Sequence, residues 1–195
     1  MIWHSETHCN LNPNDPAMSV NRYHPALVIL HWLLALLLLL SLAGGFFVLE
    51  SMPNSDPAKL DMLQGHMAFG ISIGVLMLVR LVIRLTTKSP PSLNPGNPVL
   101  EKIAALVHWG FYVLVLLMAG SGMATALAAH LNDIVFARNG EKLPEDFGQF
   151  PTMELHEGIA SLLVLFLALH VAGVIYHHFI RKEGVLGRMG FGKRQ

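Results

Sequence analysis

The sequence has few of the residues on which covalent or ionic stabilisation depends. Cys9 is its single cysteine, which excludes an intramolecular disulfide, a CxxCH site for covalent haem and an all-cysteine iron–sulfur or zinc centre. Charged residues make up only 13% of the 195 residues and the formal net charge is zero, so there is no electrostatic footprint for nucleic acid. Hydrophobic residues make up 53%, a composition that indicates a membrane protein.

Four long segments lack Asp, Glu, Lys and Arg altogether, namely residues 25–49, 62–79, 103–132 and 158–180. A membrane-spanning helix needs about 20 apolar residues, and we expect the second segment to extend to Arg84 to reach that length. Stretches rich in proline and glycine separate the segments and indicate loops. We therefore predict an all-α integral membrane four-helix bundle over residues 21–188, with a mobile N-terminal tail (1–20) and a basic C-terminal tail (189–195).

The basic residues are divided unequally between the two ends of such a bundle. Ten lie in the N-terminal segment, the second connection with its flanking helix ends, and the C-terminus, whereas the first and third connections hold three. The positive-inside rule then puts both termini in the cytoplasm, as in a multi-pass protein of the bacterial inner membrane. The opposite side carries nine acidic residues against those three bases and is net negative.

Eleven histidines are many for so apolar a chain. His156 and His170 are 14 residues apart, which is about 21 Å of helical rise and roughly 40° short of four turns, so they share a face at two depths. In the predicted topology His66 lies at the depth of His156, and His31 at the depth of His170. Depth-matched histidines from different helices predict two bis-histidine b-type haems. Such iron has no open coordination position and is therefore suited to electron transfer.

Other interpretations of these histidines remain open. A single intramembrane histidine can form a hydrogen bond to a neighbouring carbonyl and bind no cofactor. A zinc site needs three or four converging ligands, whereas each depth supplies two. A histidine-lined proton or metal transporter without haem is a further alternative.

Three more residues are candidates for cofactor or substrate contacts near the inner face. Arg80 lies 14 residues after His66 on the same stripe, where it could bind a haem propionate or extend toward lipid headgroups. His108 and His177 lie where a quinone head group would need hydrogen-bond partners and proton donors. Structural hydrogen bonding at the headgroup level is the alternative for both histidines.

Several of these segments resemble the bacterial two-haem cytochrome b561 proteins, a family that includes the membrane superoxide oxidase. The resemblance runs from about Asn21 to Arg188. Its marks are Ile29-Leu30-His31-Trp32, His66 followed by Gly70-Ile71-Ser72-Ile73 and Arg80-Leu81-Val82-Ile83-Arg84, His108 with Tyr112, and Leu155-His156-Glu157 followed by His170 and His177-His178. It implies two haems b held at His31, His170, His66 and His156, together with electron exchange with membrane quinone.

We expect transmembrane electron transfer between ubiquinone and a periplasmic small reductant or redox protein. Superoxide is one candidate reductant, although a net negative outer side suits an anion poorly and a cationic redox protein better. The chain would then be either an oxidoreductase of the superoxide:quinone type or a pure electron carrier. The alternative is a cytochrome b anchor subunit that relays electrons for a partner dehydrogenase. Membrane lipid and quinone are the expected partners, and nucleic acid is not.

Overall fold

The computed structural model describes residues 22–88, 90, 98–182 and 185–190. The predicted tail over residues 1–20 and residues 191–195 of the predicted basic tail lie outside the described residues. Within the described ranges the α-helices are α1 (Pro25–Ala43), α2 (Ala58–Thr86), α3 (Pro98–Ala128), α4 (Pro151–Ile175) and the short α5 (Val185–Arg188). Two of them are prolonged by π-helical turns, α1 by Gly44–Leu49 and α4 by Tyr176–Ile180.

Four helical segments are long and apolar enough to cross a membrane: Pro25–Leu49, Ala58–Thr86, Pro98–Ala128 and Pro151–Ile180. The prediction of an all-α protein with four membrane-spanning helices is confirmed. Three helices begin before the charge-free segments do, α2 at Ala58, α3 at Pro98 and α4 at Pro151. Their first turns hold Asp61, Glu101 and Glu154, and acidic side chains are favourable near a helix N-terminus.

Consecutive helices pack side by side, α1 on α2, α2 on α3 and α3 on α4. The centre of the bundle is an apolar cluster that includes Leu34, Val115 and Leu163, the last fully buried. The outside of the bundle is apolar as well, and large side chains such as Leu36 and Val75 are more than half exposed (56% and 55%). An exterior of this kind matches lipid rather than water.

The two ends of the bundle differ, and we name them by their connections. The terminal end is where α1 begins and α4 ends. The loop end carries the α1–α2 and α3–α4 connections, and we call residues 131–150, which form most of the latter, the cap. The cap has an apolar interior in which Val135 is fully buried, and it packs on Leu60, Leu63 and Met67 of α2.

At the terminal end the chain turns back onto α1. The indole nitrogen of Trp32 donates a hydrogen bond of 2.9 Å to the backbone carbonyl of Met189, just after α5. The Trp32 ring also lies edge-on to the ring of His31, with 5.2 Å between their centres. The segment that follows α4 is thereby attached to α1 one residue from a candidate ligand.

Candidate functional site

At the loop end, α2 and α4 bring His66 and His156 together, with their ring centres 6.2 Å apart. We call these two residues the loop-end pair. The Ser41 hydroxyl lies 3.4 Å from Nδ1 of His66. Nδ1 of His156 lies 3.1 Å from both the Ser121 hydroxyl and the Met118 carbonyl oxygen. Because these contacts engage Nδ1, Nε2 is the nitrogen of each ring that remains available to a metal.

Glycines make room for the rings of the loop-end pair. A methyl group at Gly122 of α3 would lie 2.9 Å from Cε1 of His156, closer than real side chains approach, so this ring position requires glycine. A methyl group at Gly45 would meet His66 at an ordinary 3.6 Å. The sequence does not identify Gly122 or the two serines, because only the packed helices show which small residue faces which ring.

At the terminal end, three imidazoles meet. The ring centres of His31 in α1 and His170 in α4 are 6.1 Å apart. The ring centre of His108 in α3 is 5.9 Å from that of His170. Nδ1 of His108 lies 2.7 Å from the Ala104 carbonyl oxygen of its own helix. Phe111 packs edge-on against His170 at 5.6 Å. We call His31, His108 and His170 the terminal-end cluster. The spacing in the sequence predicts the pairing of His31 with His170, but it does not predict that His108 lies equally close to His170.

The guanidinium of Arg80 lies near the terminal-end cluster. Its Nη1 donates a hydrogen bond to the backbone carbonyl of Leu27 in α1, and the guanidinium acts electrostatically on both His31 and His170. Arg84, one turn later, instead lies over the ring of Tyr23 at 5.8 Å. The two arginines therefore differ in their contacts: Arg80 binds a backbone carbonyl of α1, whereas Arg84 lies against the ring of Tyr23.

His177 lies in the π-helical turn that follows α4, with its ring centre 5.3 Å from that of Tyr176. A π-helical turn holds more residues than an α-helical turn. The seven-residue spacing from His170, which in a regular α-helix would put both residues on one stripe, therefore does not fix their relative direction here.

The ring separations fit bis-histidine ligation. Two metal–imidazole bonds of about 2 Å, plus roughly 1 Å from each nitrogen to its ring centre, separate two ligating rings by about 6 Å. The loop-end pair at 6.2 Å and the His31–His170 pair at 6.1 Å meet this criterion, and His108–His170 meets it too. In the described part of the chain no group of three or more His, Cys, Asp or Glu side chains is arranged to hold a metal ion.

Comparison with known proteins assigns the family. The family model for prokaryotic cytochrome b561 matches residues 22–192. The chain belongs to the cytochrome b561 family. It is 28% identical over 174 residues to the probable superoxide oxidase CybB of Yersinia pestis, which covers 85% of this chain and 93% of that protein. It is 27% identical over 177 residues to cytochrome b561 homolog 1 of Escherichia coli strain K12, covering 87% and 97% respectively.

Membership confirms the resemblance seen in the sequence. The protein is therefore a membrane cytochrome b that transfers electrons, and its cofactor is b-type haem. The ring separations at both ends of the bundle, and the available Nε2 atoms of the loop-end pair, are compatible with that cofactor.

Proposed function

We propose that this cytochrome b561 transfers electrons across the bacterial inner membrane, between a periplasmic reductant or redox partner and ubiquinone. Two b-type haems would supply the one-electron oxidation and reduction, since bis-histidine iron changes oxidation state without binding a substrate. His66 and His156 would hold one haem, and His31 and His170 the other. The observation that carries the proposal is the presence of two such pairs, at 6.2 and 6.1 Å, at opposite ends of one bundle.

The terminal end is the proposed cytoplasmic and quinone-binding side. The excess of basic residues at this end supports the orientation. His108 and His177 would provide hydrogen bonds and protons to the quinone head group there. Because the Ala104 carbonyl engages Nδ1 of His108, its Nε2 is the atom that would face the quinone.

Arg80 is the proposed partner of a propionate at the terminal end. Its hydrogen bonds to the Leu27 carbonyl and to the Tyr112 side chain still leave some of the five N–H donors of the guanidinium for a carboxylate. A charge-assisted bond of this kind would also neutralise an arginine that α2 holds within its membrane-spanning length.

The electron donor would bind at the loop end. Two of the three bases on this side are already engaged: Arg138 donates to Asp61 at 2.5 Å and to Gln64 at 2.9 Å, and Lys59 is buried. The surface therefore offers little positive charge, which favours a cationic redox protein. Superoxide is the second candidate, since the Yersinia pestis relative is named a probable superoxide oxidase. Stopped-flow mixing with superoxide tests it, and haems that stay oxidised would exclude it.

A redox-titrated optical spectrum of the purified protein tests the proposal as a whole. We expect two haems per chain in the unaltered protein, and one in each of the variants His66→Ala and His170→Ala. His130→Ala is the matched control, because His130 is an exposed histidine outside both sites, and it is expected to keep both haems. Two haems in either ligand variant would refute the ligand assignment, and unaltered protein without haem would refute the function.

A further inference from the structure

Lys59, in the first turn of α2, is buried although it carries an ammonium group. Its exposed fraction is 7%. Nζ donates to the Met52 carbonyl oxygen and to Oδ1 of Asn54, each at 2.6 Å. Both acceptors are neutral, and together they use two of the three N–H donors of the ammonium. The full positive charge and one donor therefore lack an anionic partner in these contacts.

No carboxylate compensates this charge within the described residues. The ion pair found there joins Arg138 to Asp61 and leaves Lys59 out. A buried ammonium without a counter-charge is strongly unfavourable. The location of Lys59 in the first turn of α2 increases this cost, because the N-terminal end of a helix carries partial positive charge of its own. An anion from outside the polypeptide would remove both penalties.

The position of Lys59 relative to the loop-end pair indicates which anion this is. Lys59 precedes His66 by seven residues, about 10.5 Å of rise and roughly 20° short of two turns, so the two share one stripe of α2. Both also face the same neighbour. His66 contacts α1 through Ser41 and Gly45, and Lys59 contacts Met52, just beyond the end of α1.

Through Asn54, Lys59 is also connected to the segment that precedes α4, the helix that carries His156. Asn54 accepts a hydrogen bond from Lys59 and donates to the backbone carbonyls of Pro144 at 2.8 Å and Glu145 at 3.1 Å. Those carbonyls belong to the cap, a few residues before α4 begins at Pro151. The ammonium is thus held by the α1–α2 connection, which Asn54 joins to the segment before α4, on the side of the loop-end pair nearer the membrane surface.

We propose that Lys59 binds a propionate group of the haem held by the loop-end pair and thereby raises the reduction potential of that haem. The inference rests on the proposed function, which puts a b-type haem at His66 and His156. The propionates are carboxylates, and an ammonium binds a carboxylate through a charge-assisted hydrogen bond. A fixed positive charge beside the haem favours its reduced form, which carries one positive charge fewer.

The test is a potentiometric titration of the purified holoprotein, with the loop-end haem identified by its absence from His66→Ala. Lys59→Met and Lys59→Gln both remove the charge, and Lys59→Gln keeps a hydrogen-bond donor. We expect either change to lower the midpoint potential of the loop-end haem by about 59 mV, which is tenfold in the equilibrium constant of a one-electron couple. The other haem is expected to keep its potential. Lys59→Arg retains the charge and should stay close to the unaltered protein.

Lys142→Met is the matched control, because Lys142 is an exposed lysine of the cap. It is expected to shift neither haem. The inference is overturned if both uncharged variants keep the original potentials, if the two haems shift equally, or if Lys59→Arg behaves like Lys59→Met. A shift seen in phospholipid nanodiscs but not in lipid-free detergent would assign the ammonium to a lipid phosphate and overturn it as well.

Three outcomes separate this inference from the proposed function. Loss of the loop-end haem from both uncharged variants, with its retention in Lys59→Arg, supports propionate binding. Its loss from all three variants overturns the inference and indicates a structural tie to Met52 and Asn54. Unaltered protein without haem would refute the proposed function itself.

Discussion

The loop-end pair and the terminal-end cluster hold their imidazoles by different means. At the loop end, each ring has a polar contact at Nδ1, and Gly122 leaves space for one of them. At the terminal end, His170 is surrounded by rings, with His31, His108 and Phe111 all within about 6 Å of it. Ring orientation therefore depends on a few hydrogen bonds in one region and on aromatic packing in the other.

The regions also differ in what covers them. The cap, with its own apolar interior, closes the loop end. At the terminal end a short segment is attached through Trp32, and a third imidazole lies beside His170. The first arrangement suits a site whose cofactor stays in place. Under the proposed function, the second would supply an imidazole to a quinone, which exchanges protons as well as electrons.

The largest effect is expected from two variants that test which imidazole is paired with His170. His31→Ala is expected to lower the haem content from two per chain to one, because His31 matches the depth of His170 from the facing helix. His108→Ala is expected to keep both haems and to slow electron exchange with quinone several-fold. Pyridine haemochrome quantification and quinol-driven reduction kinetics measure the two effects. The opposite pattern would make His108 the ligand and His31 the spare imidazole.

A smaller effect is expected at the loop end from Gly122→Ala. The added methyl would lie 2.9 Å from Cε1 of His156, so the ring must move away from its position opposite His66. We expect about tenfold faster haem loss from this site, as is typical when the support of a ligand is disturbed. Transfer of haem to apomyoglobin gives the rate.

The control for that change is Gly120→Ala on the same helix, where nothing lies within 4 Å of the added methyl. It is expected to retain haem like the unaltered protein. Equal haem loss from both variants would mean that α3 simply tolerates alanine poorly, and Gly122 would then have no specific connection with His156.

The smallest effect is expected from Ser41→Ala, which removes the contact to Nδ1 of His66. Loss of a ligand's hydrogen-bond partner usually costs about 10- to 100-fold in metal affinity, but this bond is long at 3.4 Å, so we expect tenfold or less. The same haem-transfer assay applies. Ser72→Ala is the control, since the Ser72 hydroxyl binds the Ala68 carbonyl of its own helix. A change in the terminal-end haem would contradict the local character of the contact.

The depths of the histidines could be read from the sequence because the rise per residue of a helix is nearly constant. The 14 residues between His156 and His170 fix their separation before any packing is known. Which residues of adjacent helices become neighbours follows no such rule. His108 comes beside His170 because α3 and α4 approach closely where Gly110 lies directly against the ring of Phe166, a fit that depends on the shapes of both helices.

Lys59 shows that the first residue of a charge-free segment does not mark the start of a helix. The charge-free segment of the second helix begins at Met62, yet α2 begins at Ala58 and includes a buried lysine. The ammonium of Lys59 is bound by Asn54, and Asn54 is held in turn by carbonyls of the cap that are close to it only in the folded chain. The sequence accordingly predicted the helix correctly but treated Lys59 as a surface charge.

The hydrogen bond between Trp32 and Met189 has a practical consequence for handling the protein. A fluorescent reporter or purification tag fused behind that segment would be tethered one residue from His31, the proposed haem ligand, and a force on the fusion would act next to it. Fusions at this position are best validated by their absorption spectrum before their yield.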